Sequence, residues 1–140
     1  MNKIEIHDTT KEEQGHIIRG IIDYNNSKVP FTQEPTFVSI NRCIKDGEKV
    51  VGGIVAEIYC WKVLHIDILW VKEEYRNKGY ATALMNDAEE TAKEMGCKLS
   101  HLSTFDFQAR ELYEKLGYAV FGTLEDCPDN HNCYYMSKKL

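Results

Sequence analysis

The sequence predicts one α/β (α+β) domain over residues 1–140, a mixed sheet with helices packed on it. Three observations lead there. Segments with strand-like alternation are interleaved with segments whose apolar residues repeat at helical spacing. The order reads strand, helix, three strands, helix, strand, helix, two strands. Finally, 140 residues is the length of a single domain, and no repeat, low-complexity tract or interdomain linker interrupts it.

Each element has a local reason. Residues 2–7 alternate, with Ile4 and Ile6 on one side, and read as a short strand. Thr10 and Glu13 have capping-box spacing, and Ile17, Ile18, Ile21 and Ile22 carry a helix to about Tyr24. Polar residues with Pro30 and Pro35 make residues 25–35 an irregular loop. Strands over 36–45 and 48–59 meet at Asp46-Gly47, a hairpin signal, and Gly52-Gly53 suggests a bulge or a close backbone approach. Residues 63–71 are almost continuously apolar, as in a strand covered on both faces. Ala81, Leu84, Met85, Ala88, Ala92 and Met95 share one helical face, stopped by Gly96. A strand over 98–104 precedes a helix carrying Ala109, Leu112, Tyr113 and Leu116, with Asp106 as its cap and Gly117 as its stop. Residues 118–124 and 132–138 read as closing strands.

Composition narrows the function classes. No apolar run approaches the ~18–20 residues needed to span a bilayer, and the start lacks the apolar stretch of a signal peptide. A cytoplasmic protein without a membrane partner is expected. The five cysteines are scattered without a C-x-x-C pair, so free thiols are expected. Cys127, His131 and Cys133 bring three possible metal ligands together, but no fourth is evident and the spacing matches no common zinc motif, so no metal is expected. The net charge of −5, from 17 Lys+Arg against 22 Asp+Glu, comes without a basic stripe. Nucleic acid is therefore not an expected partner, whereas a cationic substrate suits the acidic balance.

The segment that carries chemistry is Leu69, Trp70 and Val71 followed, after a short charged connection, by Arg76-Asn77-Lys78-Gly79-Tyr80-Ala81-Thr82. A strand ends, and a basic turn with a glycine opens directly into a helix. The first helical amides have no intrahelical partner and the helix dipole favours negative charge there, so this is an anion site. Gly79 lets phosphate oxygens approach the backbone, Ala81 is small for the same reason, and Arg76 and Lys78 add charge.

That turn, with the phrase Ala109-Arg110-Glu111-Leu112-Tyr113-Glu114-Lys115-Leu116-Gly117-Tyr118 downstream, resembles the GCN5-related N-acetyltransferase (GNAT) superfamily. The resemblance is clearest from Gly52 to Tyr118. It implies a mixed, mostly antiparallel, twisted sheet flanked by helices and splayed at its central strands to admit acyl-CoA. It implies an enzyme, an acyl-CoA-dependent acetyltransferase with acetyl-CoA as co-substrate. Residues 76–82 would hold its pyrophosphate, and the backbone at Leu69, Trp70 and Val71 would pair with the pantetheine arm. Many members place an asparagine seven residues before the tyrosine, in contact with the cofactor; this chain has Asp106 there, with Gln108 nearby. Tyr113 takes the position of the family's general acid, and Tyr118 reads as packing.

Acyl transfer to an amine needs a base, because an amine of pKa near 10.4 is almost fully protonated at neutral pH. Asp67 and His65 are the candidates: ionisable groups in an apolar run, two apart on a strand and so on one face. The alternatives are that Asp67 pairs with a cation such as Arg42 and that His65 is a satisfied core histidine. Glu57 is a third candidate. The acceptor pocket is expected along residues 24–37 and 126–134. A small-molecule amine is the favoured acceptor. A protein lysine or N-terminus, or a non-catalytic acyl-CoA-binding module, are the alternatives, and the resemblance also raises a homodimer.

Overall fold

The structure, a computed structural model, describes residues 3–140. Residues up to 31 and residues 32–140 form two compact units, taken here in turn. In the first, residues 3–10 have no regular structure, and helix α1 spans Lys11–Lys28. The strand expected over 2–7 is thus not formed at residues 3–7, and Asn2 lies outside the described residues. A two-isoleucine alternation does not make a strand by itself, and Ile4 and Ile6 are exposed. The capping box is present: Glu13 N–H donates to Thr10 Oγ1 at 3.1 Å and Thr10 N–H to Glu13 Oε1 at 2.9 Å.

The second unit is a six-stranded mixed sheet in the order β1-β2-β3-β4-β6-β5. Its strands are β1 (Phe37–Asp46), β2 (Lys49–Tyr59), β3 (Val63–Val71), β4 (Leu99–Phe105), β5 (Ala119–Leu124) and β6 (Cys133–Lys139). Helix α2 (Tyr80–Glu94) follows β3 after a 3₁₀ turn at Glu73–Tyr75, and the short α3 (Arg110–Lys115) follows β4. All pairs are antiparallel except β3 with β4, because α2 is a crossover between those two. Asp46-Gly47 makes the expected hairpin, with the register shift falling at Val51, next to the glycine pair.

One face of the sheet holds the core. Ile40 on β1, Ile54, Ala56 and Ile58 on β2, and Leu64 and Ile66 on β3 meet Leu84, Met85, Ala88 and Ala92 of α2 in one cluster. These four helix residues follow the predicted spacing, and Gly96, at φ 89°, ends the segment in the left-handed region that side chains disfavour. Among the described residues one carboxylate is buried beside this core. Glu89 is buried with Tyr118 Oη at 3.2 Å and Lys138 Nζ at 2.5 Å, and Tyr118 also meets Ser100 Oγ at 2.7 Å. Burial pushes the Tyr118 phenol far above its ordinary range, in keeping with a packing role. No helix among the described residues is long and apolar enough to cross a membrane.

Candidate active site

The site begins as a fault in β3. Val55 pairs with Ile68 and Ala56 with Ile66, which leaves Asp67 as the extra residue of a β-bulge. Below it the even-numbered Leu64 and Ile66 face the core; above it the odd-numbered Leu69 and Val71 do. This corrects two expectations. Residues 63–71 are not covered on both faces, since Ile68 and Trp70 are about half exposed. The two-residue spacing of His65 and Asp67 also does not give them a common setting, because the bulge intervenes. The bulge bends β3 away from β4, so their parallel pairing runs only from Val63↔Leu99 to Ile66↔Leu102.

Beyond that last pair the strands fork around a cleft of about 680 Å³. One wall is Asp67, Ile68, Leu69, Trp70 and Val71, and the other includes Ser103 and Thr104. Backbone edges of two strands thus face one another without pairing, the setting in which an extended ligand can add as a strand.

The mouth of the cleft is the turn into α2. Arg76, Asn77, Gly79, Tyr80, Ala81 and Thr82 line it. Gly79 is the N-cap at φ 82° and ψ 8°, with no side chain to satisfy the helix, and a Cβ built there meets no atom within 4 Å. The amides of Tyr80, Ala81 and Thr82 have no acceptor among the described residues; the first one used is Ala83 N–H, to Gly79 O at 3.0 Å. No acidic residue stands in the first turn. Arg76 Nε donates to Val71 O at 2.9 Å, which pins the guanidinium at the end of β3 and leaves its terminal nitrogens free of partners among the described residues. Lys78, in contrast, is not a lining residue, and its ammonium lies 5.3 Å from the Tyr75 ring centre.

At the inner end, α3 brings Tyr113 to the cleft. The ring packs against Tyr118 at 6.1 Å, and the hydroxyl has no hydrogen-bond partner among the described residues. Burial raises its pKa, so the phenol keeps its proton at neutral pH. Gln108 also lines the cleft: its Oε1 accepts from Phe105 N–H at 2.9 Å, which leaves its NH₂ group without an acceptor among the described residues.

Comparison with known proteins agrees with this geometry. Residues 5–118 match the family described as the acetyltransferase (GNAT) family. The chain belongs to the GNAT acetyltransferases. It is 35% identical over 99 residues to the blasticidin-S acetyltransferase of Streptomyces morookaense, covering 70% of this chain and 71% of that one. It is 30% identical over 96 residues to acetyltransferase Atu2258 of Agrobacterium fabrum strain C58, covering 68% and 69%. A crystal structure of an acetyltransferase from Bacillus cereus ATCC 14579 superposes with a TM-score of 0.86 at 35% identity, covering 98% of both chains. The protein is an acyltransferase with the GNAT sheet.

Within this GNAT chain the expected site residues divide. Asp67, Leu69, Trp70, Val71, Arg76, Asn77, Gly79, Tyr80, Ala81, Thr82 and Tyr113 share the cleft, whereas His65, Lys78 and Asp106 do not line it. Asp106 does not cap α3, whose N-cap is Ala109 with no side-chain bond. Its carboxylate instead accepts from Asn132 N–H at 2.8 Å and meets His131 Nδ1 at 2.8 Å, bonds that hold its pKa below the usual range, the Asn132 amide most of all. Arg42 pairs with Asp87 at 3.3 Å rather than with Asp67. His65 lies on the sheet face opposite the core, across from Glu57 and 4.8 Å from the His101 ring. Ser103, Thr104 and Phe107 were not expected in the cleft; the signal for Ser103 and Thr104 was the parallel pairing, which puts whatever follows Leu102 beside whatever follows Ile66. In the stretch expected to line the acceptor pocket, His131 is engaged by Asp106 and the Tyr134 ring by Arg110 at 4.4 Å. Among the described residues no group of three or more His, Cys, Asp or Glu could hold a metal ion.

Proposed function

We propose that this acyltransferase moves an acetyl group from acetyl-CoA to the primary amine of a small molecule. The observation that carries the reading is the fork joined to an uncapped, basic helix entrance. The residues present fit acetyl-CoA. Gly79 leaves room at the backbone, three free amides and the Arg76 guanidinium suit a pyrophosphate, and the unpaired edges of β3 and β4 suit an amide-containing arm. A likeness to an enzyme named for an antibiotic substrate supports a small-molecule acceptor.

When bound, acetyl-CoA supplies a thioester-activated acetyl group. The chain's own residues do the rest. Arg76 and the α2 amides bind and orient; charge-assisted hydrogen bonds contribute about 1.5–3 kcal/mol each. Backbone amides around the bulge, turned out of the β3–β4 ladder, are donors for a carbonyl oxygen. Tyr113 holds a proton on its phenol at the inner end, ready for a leaving thiolate. An acceptor amine of pKa near 10.4 must first lose a proton, at a cost of about 4–5 kcal/mol at pH 7, and Asp67 or His65 receives it.

Thiol release from acetyl-CoA across a panel of small amines tests the reading. Turnover is expected with at least one, and Tyr113→Phe is expected to lower kcat about 100-fold while the Kd for acetyl-CoA changes less than threefold. Tight acetyl-CoA binding with no turnover of any amine, and indifference to Tyr113→Phe, would identify a binding module instead.

A further inference from the structure

Behind the cleft, on the core side of the sheet, lies a set of polar side chains that the proposed mechanism does not use. Tyr118 follows the turn that ends α3; it is buried and does not line the cleft. Its hydroxyl meets Ser100 Oγ of β4 at 2.7 Å and Glu89 Oε2 of α2 at 3.2 Å. Lys138 of β6 closes the set, with its ammonium 2.5 Å from Glu89 Oε1. The lysine stem passes Gly117, where a Cβ would stand 3.4 Å from Lys138 Cε, so the glycine leaves the lysine its path. Paired with Lys138, the Glu89 carboxylate has no proton to give. Tyr118 Oη therefore donates to Glu89 and accepts from Ser100, so that each hydrogen is used once.

We propose that Glu89 and Tyr118 are positioning residues that hold the Tyr113 ring at the inner end of the cleft. This rests on the N-acetyltransferase reading, in which the Tyr113 phenol meets the leaving thiolate. The Tyr113 hydroxyl has no hydrogen-bond partner among the described residues, so its direction is set by what packs against the ring. Tyr118 holds Tyr113 twice: the two rings meet edge-on at 6.1 Å and 69°, and Tyr118 N–H donates to Tyr113 O at 2.9 Å. Glu89 lies well along α2 from Tyr80, about 13–14 Å at ~1.5 Å per residue. One helix thus carries the cofactor entrance in its first turn and the anchor of Tyr118 further on. The proton donor and the cofactor are thereby set in one frame.

Stability alone does not account for the set. A phenylalanine at 118 would fill the same space, and a buried ion pair is often no more stabilising than apolar side chains of similar volume. What the polar set adds is direction. A hydroxyl held from two elements allows its ring one orientation, whereas an apolar ring is free to tilt. Burial raises the pKa of both phenols, but of the two only Tyr113 reaches the cleft, so Tyr118 acts through its neighbour.

A double-mutant cycle on kcat tests this, in the full chain with acetyl-CoA and the amine of the panel that turns over fastest. Tyr118→Phe keeps the ring and removes the hydroxyl; it should lower kcat about tenfold while the acetyl-CoA Kd changes less than about twofold. In a Tyr113→Phe background the same substitution should lower kcat less than about twofold, because the group it positions is gone. Glu89→Met removes the acceptor of Tyr118 and lets the partly exposed Lys138 turn to water; it should repeat this pattern. A loss of about tenfold that persists in Tyr113→Phe marks a merely structural role and overturns the positioning. So does an unchanged kcat in folded Tyr118→Phe. If those two variants fail to fold, Ser100→Ala carries the same cycle with both rings and the ion pair in place. It should lower kcat about threefold, and not at all with Tyr113→Phe; additive losses overturn the role. If Tyr113→Phe itself leaves kcat unchanged, this role falls while acetyl transfer stands. Absence of turnover with every amine overturns the acetyltransferase reading and this role with it.

Discussion

Helix α1 enters through Thr10, whose hydroxyl accepts from the Glu13 amide while the Glu13 carboxylate accepts from the Thr10 amide; helix α2 enters through Gly79, which has no side chain to offer. The first turn of α1 carries Glu12 and Glu13, whereas that of α2 carries no acid and follows Arg76 and Lys78. Every helix begins with amides that need acceptors. At α1 the chain supplies oxygen from its own side chains, so the entrance is closed and purely structural. At α2 it supplies no side-chain cap and adds cations, so the same amides are left without an acceptor among the described residues. With glycine at the N-cap the loss of a side-chain cap costs the helix only about a few tenths of a kcal/mol, so leaving these amides open costs little.

The contrast can be broken from the α2 side first. Gly79→Asp should have the largest effect, because it strains the left-handed backbone at φ 82° and the open space around a Cβ there lets a carboxylate stand in the cleft. Calorimetric titration should find acetyl-CoA affinity reduced at least ~100-fold with the far-ultraviolet circular dichroism unchanged, consistent with losing the helix-terminus attraction and about one charge-assisted bond. An unchanged affinity would remove this turn from the site. Thr82→Glu sharpens the comparison by giving α2 an acid in its first turn, as α1 has. Stability should rise by about 0.3–1 kcal/mol in urea denaturation while acetyl-CoA affinity falls about tenfold; movement of both in the same direction would contradict the account. The smallest effect belongs to α1. Thr10→Ala should lower helix stability by about 1 kcal/mol, read from ellipticity at 222 nm on denaturation, and alter acetyl-CoA affinity less than twofold.

These two entrances were also among the parts legible in the sequence, because both are written within a few consecutive residues. The same is true of the Asp46-Gly47 hairpin, of the core face of α2, and of its end at Gly96. The failures share a different cause. Whether Ile4 and Ile6 form a strand depends on pairing with an edge distant in sequence, which two local residues cannot encode. Asp106 looks like a cap beside α3, yet its partners lie 25 and 26 residues on, in the loop before β6. The Tyr59 hydroxyl meets His101 Nε2 from 42 residues away, and no local pattern in either segment points to the other. The bulge at Asp67 is likewise invisible in the run 63–71, because it exists only in the register with β2. The helix-entrance half of the candidate site is local and could be read; the half around the bulge is assembled across strands and could not.

Strand β3 behaves as a text with a frame. Asp67 is a single inserted letter, and everything after it is read in the opposite parity to everything before. Deleting it would leave a straight, continuous ladder in which Leu69 and Val71 still face the core and Ile68 and Trp70 still face outward, so every side chain would keep its setting while the divergence from β4 closed. The damage would fall on the path of the backbone alone: eight of the nine residues of β3 would remain on the faces they occupy now, and only the fork would be lost.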